Sequence, residues 1–244
     1  IGGSATNDAG LGMLQALGFR FYDQNGEILG KGGQILDQIV AIDFSSVHPA
    51  LKDARFTIAC DVRNPFSGPE GAAYVFARQK GADGAMIENL DAGMKRFSRL
   101  IHSTTGREIT EVAGAGAAGG LGGAFLAFLN AELKPGIELL LRTLKFDEKI
   151  KDADLIITGE GRVDRQSVMG KVPFGILEEA NKQGIPVIVV AGSIADTEVL
   201  NKAGFRGIFS IVPSPMSLEV AMKPEAAKNN ISRTVAQIIS LATL

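Results

Sequence analysis

The stretch "ADLIITGEGRVDRQSVMGKVPFGILEEANKQGIPVIVVAGSIADTEVLNKAGFRGIFSIVPS" (residues 153–214) decides the fold. It contains three short apolar runs, each ending in Gly, Ser or Pro, at 153–159, 185–193 and 207–214. Runs without polar alternation are typical of strands buried on both faces of a parallel sheet. The segments between them have helical spacing, and Gly184 and Gly204 stop them. With a last helical segment near the carboxyl end, this order predicts a βαβαβα domain with a parallel sheet and right-handed crossovers.

The first 150 residues show a less regular pattern, which predicts a second, α+β domain. We expect a helix after Asp8, a strand pair turning at Asn25–Gly26, a buried strand at 54–62, and helices at 72–81 and 85–104. The predicted domains are therefore 1–150, which is α+β, and 151–244, which carries the parallel sheet.

Composition excludes several classes of function. The chain has 25 Lys and Arg against 27 Asp and Glu, so no broad basic field favours nucleic acid as a partner. No apolar stretch approaches the roughly 20 residues that a membrane span needs. Cys60 is the single cysteine, which favours a reducing compartment and hence the cytoplasm. The two histidines, His48 and His102, have no neighbouring Ser or Asp motif that would suggest a hydrolase.

A glycine run lies between the helical segments of the first domain. Six glycines occur from Gly114 to Gly123, followed by a predicted helix at 120–133. Gly114, Gly116 and Gly119 match G-x-G-x-x-G, which on its own is a weak indication of a dinucleotide-binding oxidoreductase. The run could instead present bare amides to an anion at a helix start, or allow close packing, and the sequence leaves both open.

Carboxylates follow the first strand of the parallel domain. Ligands of open parallel sheets bind beyond the carboxyl ends of the strands. There the chain places Thr158, Glu160, Arg162, Asp164 and, a turn later, Lys171, and the next strand end adds Ser193. Glycines on both sides of Glu160 would let the backbone approach a ligand closely. Carboxylate, amide and hydroxyl oxygens without a cysteine or histidine cluster suit Mg²⁺ and phosphate rather than zinc or haem.

The first domain supplies a second polar group. "GGSATND" carries Ser4, Thr6, Asn7 and Asp8, and "CDVRNPFSG" carries Asp61, Arg63 and Asn64. Two structural alternatives stay open: Asp8 could be a helix N-cap, and Asn64–Pro65 a plain turn.

Five motifs, in this order, carry a resemblance to a known family. They are "GGSATNDAGLGMLQALG", "CDVRNPFSGPEGAAYVFARQKGA", "GAGAAGGLGGAFLAFL", "ADLIITGEGRVDRQSVMGKVPFGI" and "IVPSPMSLEVAM". Together they span nearly the whole chain, which resembles the bacterial glycerate kinases of the glycerate-catabolic type. Members begin with a further segment bearing "PDSFK"-like and "ADGGEG"-like motifs, and this chain opens inside a polar cluster without them. We therefore expect residues upstream of Ile1, and a chain lacking them to be inactive alone.

The resemblance implies transfer of the γ-phosphoryl group of ATP to a hydroxyl of D-glycerate, with Mg²⁺, in a cleft between a Rossmann-like domain and the second domain. It leaves open the 2- or 3-hydroxyl and whether the protein is a homo-oligomer. Implied catalytic residues are Glu160 and Asp164, which would hold the metal or orient the hydroxyl, with Asp8 or Asp61 as proton acceptor. Implied substrate-binding residues are Ser4, Thr6, Asn7, Arg63, Asn64, Arg162 and Lys171. Implied nucleotide-binding residues are Gly114, Gly116, Gly119, Gly120, Gly159, Gly161 and Ser193. The alternatives are the dinucleotide oxidoreductase at 114–119 and a binding module without turnover.

Overall fold

A computed structural model describes residues 1–168 and 170–242 of the chain, which divides into two compact units after Gly136. This division corrects the predicted boundary near residue 150. Phe146 and Ile150 pack into the apolar core of the second unit, and Ile137 lies against Gly175 of that unit. Residues 137–150 therefore belong with the parallel sheet.

The first unit is α+β. Its helices and strands are α1 (Leu11–Ala16), β1 (Arg20–Tyr22), β2 (Ala41–Asp43), β3 (Thr57–Ala59), α2 (Gly84–Thr105), α3 (Ala117–Phe128) and β4 (Glu132–Lys134). The strands form two small sheets, an antiparallel β1–β2 pair and a parallel β3–β4 pair. A short π-helical and 3₁₀ segment runs from Ala73 to Lys80, where the sequence predicts a helix.

The long helix α2 confirms the helix predicted at 85–104 and extends it by one residue at each end. Asp83 caps its start, where the side chain accepts a hydrogen bond from the Met86 amide at 2.8 Å. Gly106 ends it in the left-handed conformation, with φ of 71°. The face between these ends buries Met94, Phe97 and Ile101, which join the core of the first unit.

The predicted hairpin at Asn25–Gly26 is correct as a turn and wrong as a strand pair. The chain reverses there, and the Asp23 amide donates to the Glu27 carbonyl at 3.1 Å. Beyond the turn, however, only a single bridge joins Tyr22 to Ile28, and the strand that pairs with β1 is β2. Three glycines among residues 30–33 follow the turn, and glycine is a poor strand former because ordering it costs the most backbone entropy.

The second unit confirms the βαβαβα prediction. Its elements are α4 (Gly136–Thr143), α5 (Phe146–Lys149), β5 (Ile156–Val163), α6 (Val172–Asn181), β6 (Val187–Ile194), α7 (Thr197–Ala203), β7 (Gly207–Ser210), α8 (Leu218–Ala221) and α9 (Pro224–Ala242). The three strands form one parallel sheet in the order β5–β6–β7. Alternate residues of β6 pack into two different apolar clusters. Val187 and Val189 belong to one cluster, and Ile188 and Val190 belong to the other. The central strand is thus buried on both faces, as its unbroken apolar run predicts.

Strand β5 is longer than predicted at its carboxyl end. Pairing with β6 continues through Glu160 opposite Ala191 and Arg162 opposite Ser193, up to Val163 opposite Ile194. Glu160 and Arg162 therefore lie within the last part of the strand rather than in the loop beyond it.

Candidate functional site

The glycine run of the first unit forms a left-handed turn at the start of α3. Ala118, Gly119 and Gly120 have φ of 53°, 71° and 93°. A Cβ atom at Gly119 would collide with the carbonyl oxygen of Thr6, and one at Gly120 would lie 2.8 Å from the Ala9 Cα. The run thus lets α3 pack directly against the chain that carries the polar residues 4–8. Close packing, one of the two alternatives from the sequence, accounts for these glycines.

The amides of the run are largely occupied. The N–H groups of Gly114 and Gly116 both donate to the Asn64 carbonyl oxygen, at 3.2 and 3.0 Å, and that of Gly120 donates to the Gly116 carbonyl at 3.2 Å. The expectation that these three amides face an anion is therefore corrected. Gly119 accepts from the Ala9 amide at 2.9 Å, which ties the run to the amino-terminal loop.

The dinucleotide alternative lacks its structural context. A dinucleotide-binding G-x-G-x-x-G follows a buried strand and opens a helix. Residues 107–113 contain no strand, and Gly114 lies in a turn before α3. The geometry around Gly114–Gly119 does not support an oxidoreductase.

Three predicted substrate-binding residues, Ser4, Thr6 and Asn7, lie in the loop before α1, next to Asp8, a predicted proton acceptor. Ser4 Oγ and the Thr6 carbonyl oxygen accept hydrogen bonds from Lys80 Nζ, at 2.8 and 2.7 Å. Asn7 Nδ2 donates to the Met94 sulfur at 3.6 Å, and the buried Asn7 Oδ1 has no hydrogen-bond partner among the described residues. We name Ser4, Thr6, Asn7, Asp8 and Lys80 the amino-terminal cluster.

Lys80 is the member of this cluster that the sequence analysis missed. It lies within "FARQKGA", part of a quoted motif, but neither spacing nor neighbours in sequence connect it to a loop more than seventy residues away. Burial lowers the pKa of the Lys80 ammonium below its ordinary value, and the Asp8 carboxylate offsets part of that shift.

Asp8 and Asp61 both accept hydrogen bonds from backbone amides. Asp8 receives hydrogen bonds from the Gly10 amide at 3.1 Å and the Gly12 amide at 3.0 Å, at the start of α1. The N-cap residue of α1 is Gly10, so Asp8 is not the N-cap itself. Asp61 accepts from the Gly136 amide at 2.8 Å. Each carboxylate keeps further lone pairs, so these bonds do not by themselves exclude a role in proton transfer.

Asn64 and Arg63 occupy different surroundings. Asn64 Nδ2 donates to the Glu70 carbonyl at 2.8 Å, and the Asn64 carbonyl receives the two glycine amides described above. Asn64 therefore joins two neighbouring segments through hydrogen bonds, whereas the plain turn expected at Asn64–Pro65 is not found there. The Arg63 side chain is exposed.

A second cluster lies in the second unit, at the carboxyl end of β5. Glu160 Oε1 lies 3.8 Å from Lys171 Nζ, and Glu160 Oε2 accepts from the Ser167 hydroxyl at 3.4 Å. Ser167 Oγ in turn accepts from the Asp164 amide at 3.1 Å, and Asp164 Oδ2 lies 3.2 Å from Arg162 Nε. Glu160, Arg162, Asp164, Ser167 and Lys171 thus form one network, which we name the β5 cluster.

Ser167 is the residue of this network that the sequence analysis missed. Its side chain is buried, and no sequence pattern distinguishes a serine that links two carboxylate residues from an ordinary one. The predicted residues around it are confirmed as neighbours, since Glu160, Asp164, Arg162 and Lys171 lie in a single network of contacts.

The glycines and the serine of the strand ends have distinct environments. A Cβ at Gly159 would lie 3.1 Å from the Val190 carbonyl, whereas Gly161 has open space around it. Ser193 is exposed on β6 and lies opposite Arg162 in the sheet. Gly161 and Ser193 are thus open to solvent next to the β5 cluster.

The β5 cluster has the ligand chemistry for Mg²⁺. Residues 1–168 and 170–242 contain no group of three His, Cys, Asp or Glu side chains placed to hold a metal ion. Mg²⁺, however, is commonly bound through one or two carboxylates together with substrate phosphates. Glu160 and Asp164 supply two carboxylates in this network, although Ser167 bonds the backbone amide of Asp164 rather than its carboxylate.

No helix within the described residues is long and apolar enough to cross a membrane.

Comparison with known proteins identifies the family of this chain. The model of the glycerate kinase family matches residues 1–243. The chain belongs to the glycerate kinase family. The resemblance carried by the five sequence motifs is thereby confirmed, and the mixed α/β fold with a parallel sheet agrees with it.

Relatives with this family's name are similar along nearly the whole chain. A glycerate kinase of Halalkalibacterium halodurans is 47% identical over 95% of this chain and 63% of its own length. A glycerate 2-kinase of Escherichia coli is 46% identical over 96% of this chain and 61% of its own length. A crystal structure assigned as glycerate kinase 2 from Salmonella typhimurium LT2 has 41% identity and a TM-score of 0.79, covering 100% of this chain and 64% of that one. The chain therefore spans slightly less than two thirds of the length of these relatives.

Proposed function

We propose that the protein transfers the γ-phosphoryl group of ATP to a hydroxyl of D-glycerate and releases phosphoglycerate. The observation that carries this proposal is the family match over residues 1–243. It is supported by the β5 cluster, whose paired carboxylates and cations have the composition that phosphoryl transfer needs. We also propose that the protein acts in the cytoplasm, in line with its single cysteine.

Phosphoryl transfer depends mainly on positioning and on neutralising charge on the phosphate oxygens. In our proposal Glu160 and Asp164 hold Mg²⁺, which supplies positive charge to the phosphates when it is bound. Lys171 and Arg162, which pair with these two carboxylates in the structure, would then interact with phosphate oxygens. Ser167 fixes the Glu160 carboxylate from the other side.

The amino-terminal cluster is assigned to the acceptor substrate. Ser4, Thr6 and Asn7 offer hydroxyl, carbonyl and amide groups suited to the hydroxyls of glycerate. Asp8 is the proposed proton acceptor and Asp61 the competing candidate, because Asp8 belongs to this cluster and Asp61 does not. Because one relative is named a glycerate 2-kinase, we propose the 2-hydroxyl as the acceptor.

The carboxylates of the β5 cluster provide the test. In the full-length natural protein, Glu160→Gln and Asp164→Asn should each lower kcat for ATP-dependent phosphorylation of D-glycerate by roughly 100-fold or more, as loss of a charge-stabilising group in an active site does. Glu179→Gln is the matched control, because Glu179 is also a lysine-paired carboxylate of the second unit, 2.6 Å from Lys182. Activity within twofold of wild type in both test variants would remove these carboxylates from the mechanism. ³¹P NMR of the product distinguishes 2- from 3-phosphoglycerate.

A further inference from the structure

Lys80 carries a charge that its neighbours do not neutralise directly. Two of its three ammonium hydrogens can be used by Ser4 Oγ and the Thr6 carbonyl, which are both uncharged acceptors. Within residues 1–168 and 170–242, no carboxylate lies within ion-pair distance of Lys80 Nζ. Asp8 acts on Lys80 only through the longer-range Coulomb interaction. The third ammonium hydrogen therefore remains available to a ligand.

The surroundings of Lys80 favour an incoming anion. The side chain is half-buried, and the loss of water around it lowers its pKa. A partly desolvated cation with neutral partners interacts more strongly with an anion than a fully hydrated cation does. A negatively charged group beside Nζ would therefore be held more firmly than at an exposed lysine.

Lys80 also lines two cavities of the first unit. The larger, of about 660 Å³, has Asn7, Gln34, Asp37 and Asn89 among its lining residues. The smaller, of about 140 Å³, is lined by residues 1–4 together with Val62, Phe76, Gln79 and Ala118. A ligand that fills either cavity can therefore reach the ammonium group.

The lining of these cavities distinguishes between kinds of anion. Among their lining residues, all of which the structure describes, Lys80 is the single Lys or Arg, and the larger cavity includes the acidic Asp37. One cation matches one carboxylate, whereas the phosphates of ATP carry several negative charges. The buried Asn7 Oδ1 has no donor, and a hydroxyl is the kind of donor that it lacks. The cluster thus suits a small hydroxy acid better than a nucleotide.

We propose that Lys80 binds the carboxylate of the acceptor hydroxy acid and thereby makes the amino-terminal cluster selective for acids over uncharged polyols and amides. This inference rests on the proposed function, since it names the residue that recognises the acid in that reaction. Lys80 is a specificity residue here and takes no part in phosphoryl transfer itself.

The test compares two ligands of similar shape, one with a carboxylate and the other with an uncharged carboxamide. Dissociation constants of D-glycerate and D-glyceramide are measured by titration calorimetry for the full-length natural protein and for Lys80→Met, Lys80→Gln and Lys80→Arg. The wild type should prefer glycerate by about 10- to 100-fold, the value of a charge-assisted hydrogen bond. Lys80→Met and Lys80→Gln should bind both ligands about equally, and Lys80→Arg should keep most of the preference. Lys52→Met, at an exposed lysine of the same unit, should behave as wild type.

Several results would overturn the inference. An unchanged preference in Lys80→Met would show that the carboxylate binds elsewhere. The Lys80→Gln side chain keeps hydrogen-bond donors but carries no charge. If Lys80→Gln retains the wild-type preference for glycerate over glyceramide, Lys80 only supports the loop. A KM for ATP that rises as much as the KM for glycerate would identify a phosphate contact instead.

Failure of the proposed function gives a different result. If the wild type does not phosphorylate glycerate, the kinase proposal fails, while D-lactate and D-lactamide still test Lys80 through the same ratio of dissociation constants. If the wild type phosphorylates glycerate and Lys80→Met keeps its preference, the kinase proposal stands and the assignment of Lys80 fails.

Discussion

Gly119→Ala tests whether the glycine run exists for close packing. Gly119 has φ of 71°, and an added Cβ would collide with the carbonyl oxygen of Thr6. The left-handed conformation alone costs an alanine roughly 1 kcal/mol relative to glycine. Overpacking against backbone adds about 1–3 kcal/mol. We therefore expect Gly119→Ala to lower the free energy of unfolding by about 2–4 kcal/mol.

Gly106→Ala is the matched control. Gly106 has the same φ of 71°, and a Cβ there meets nothing within 4 Å. It should cost roughly 1 kcal/mol, because only the backbone term applies. The difference between the two variants isolates the contact with Thr6.

Urea unfolding followed by circular dichroism measures both variants, and hydrogen exchange localises the change. Gly119→Ala should accelerate exchange in residues 4–9, because it displaces Thr6 and weakens the bond from the Ala9 amide to the Gly119 carbonyl. It should also raise the dissociation constant of glycerate, since the Thr6 carbonyl is a partner of Lys80. A Gly119→Ala variant no less stable than Gly106→Ala would refute the packing explanation.

Two further predictions concern charged groups of the first unit. Asp91 is buried and accepts from the Gly68 amide at 2.6 Å and from Lys95 at 2.7 Å, so Asp91→Ala should cost about 1.5–3 kcal/mol in urea unfolding. Glu225→Ala, at an exposed pair, should change stability by less than about 0.5 kcal/mol, and equal effects would contradict the role of burial. In an NMR titration of lysine side chains, Lys80 should titrate below the usual pKa of 10.5, because burial disfavours its charge, and Lys95 above it, because Asp91 stabilises its charge. Titration of both at the same pH would contradict these environments.

The sequence predicted the second unit well for a local reason. Apolar runs such as 185–193, which lack polar alternation, are typical of strands that are buried on both faces. The glycines at 184 and 204 end the helices between these strands. The parallel order and the grouping of Glu160 with Asp164 follow from that pattern. The end of β5 was misjudged, because pairing with β6 rather than local propensity carries the strand to Val163.

The first unit was predicted less well, because its contacts join distant parts of the chain. The partner of β1 is β2 rather than the segment after Asn25–Gly26. Strand β3 pairs with β4, although α2 and α3 lie between the two strands in the sequence. The choice between an anion site and close packing at Gly119 depended on Thr6, which is more than a hundred residues away in sequence. Such pairings depend on the packing of the whole unit, so a short stretch of sequence does not predict them.

The sequence by itself determined the parallel-sheet architecture, the family and most members of the two polar clusters, because these depend on residue types in fixed local spacing. Only the tertiary structure decided that Lys80 joins Ser4 and Thr6, that Ser167 links Glu160 to Asp164, and that the amides of Gly114 and Gly116 are already bonded. Hydrogen bonds and desolvation act over a few ångströms in space, and the folded chain alone sets which residues come that close.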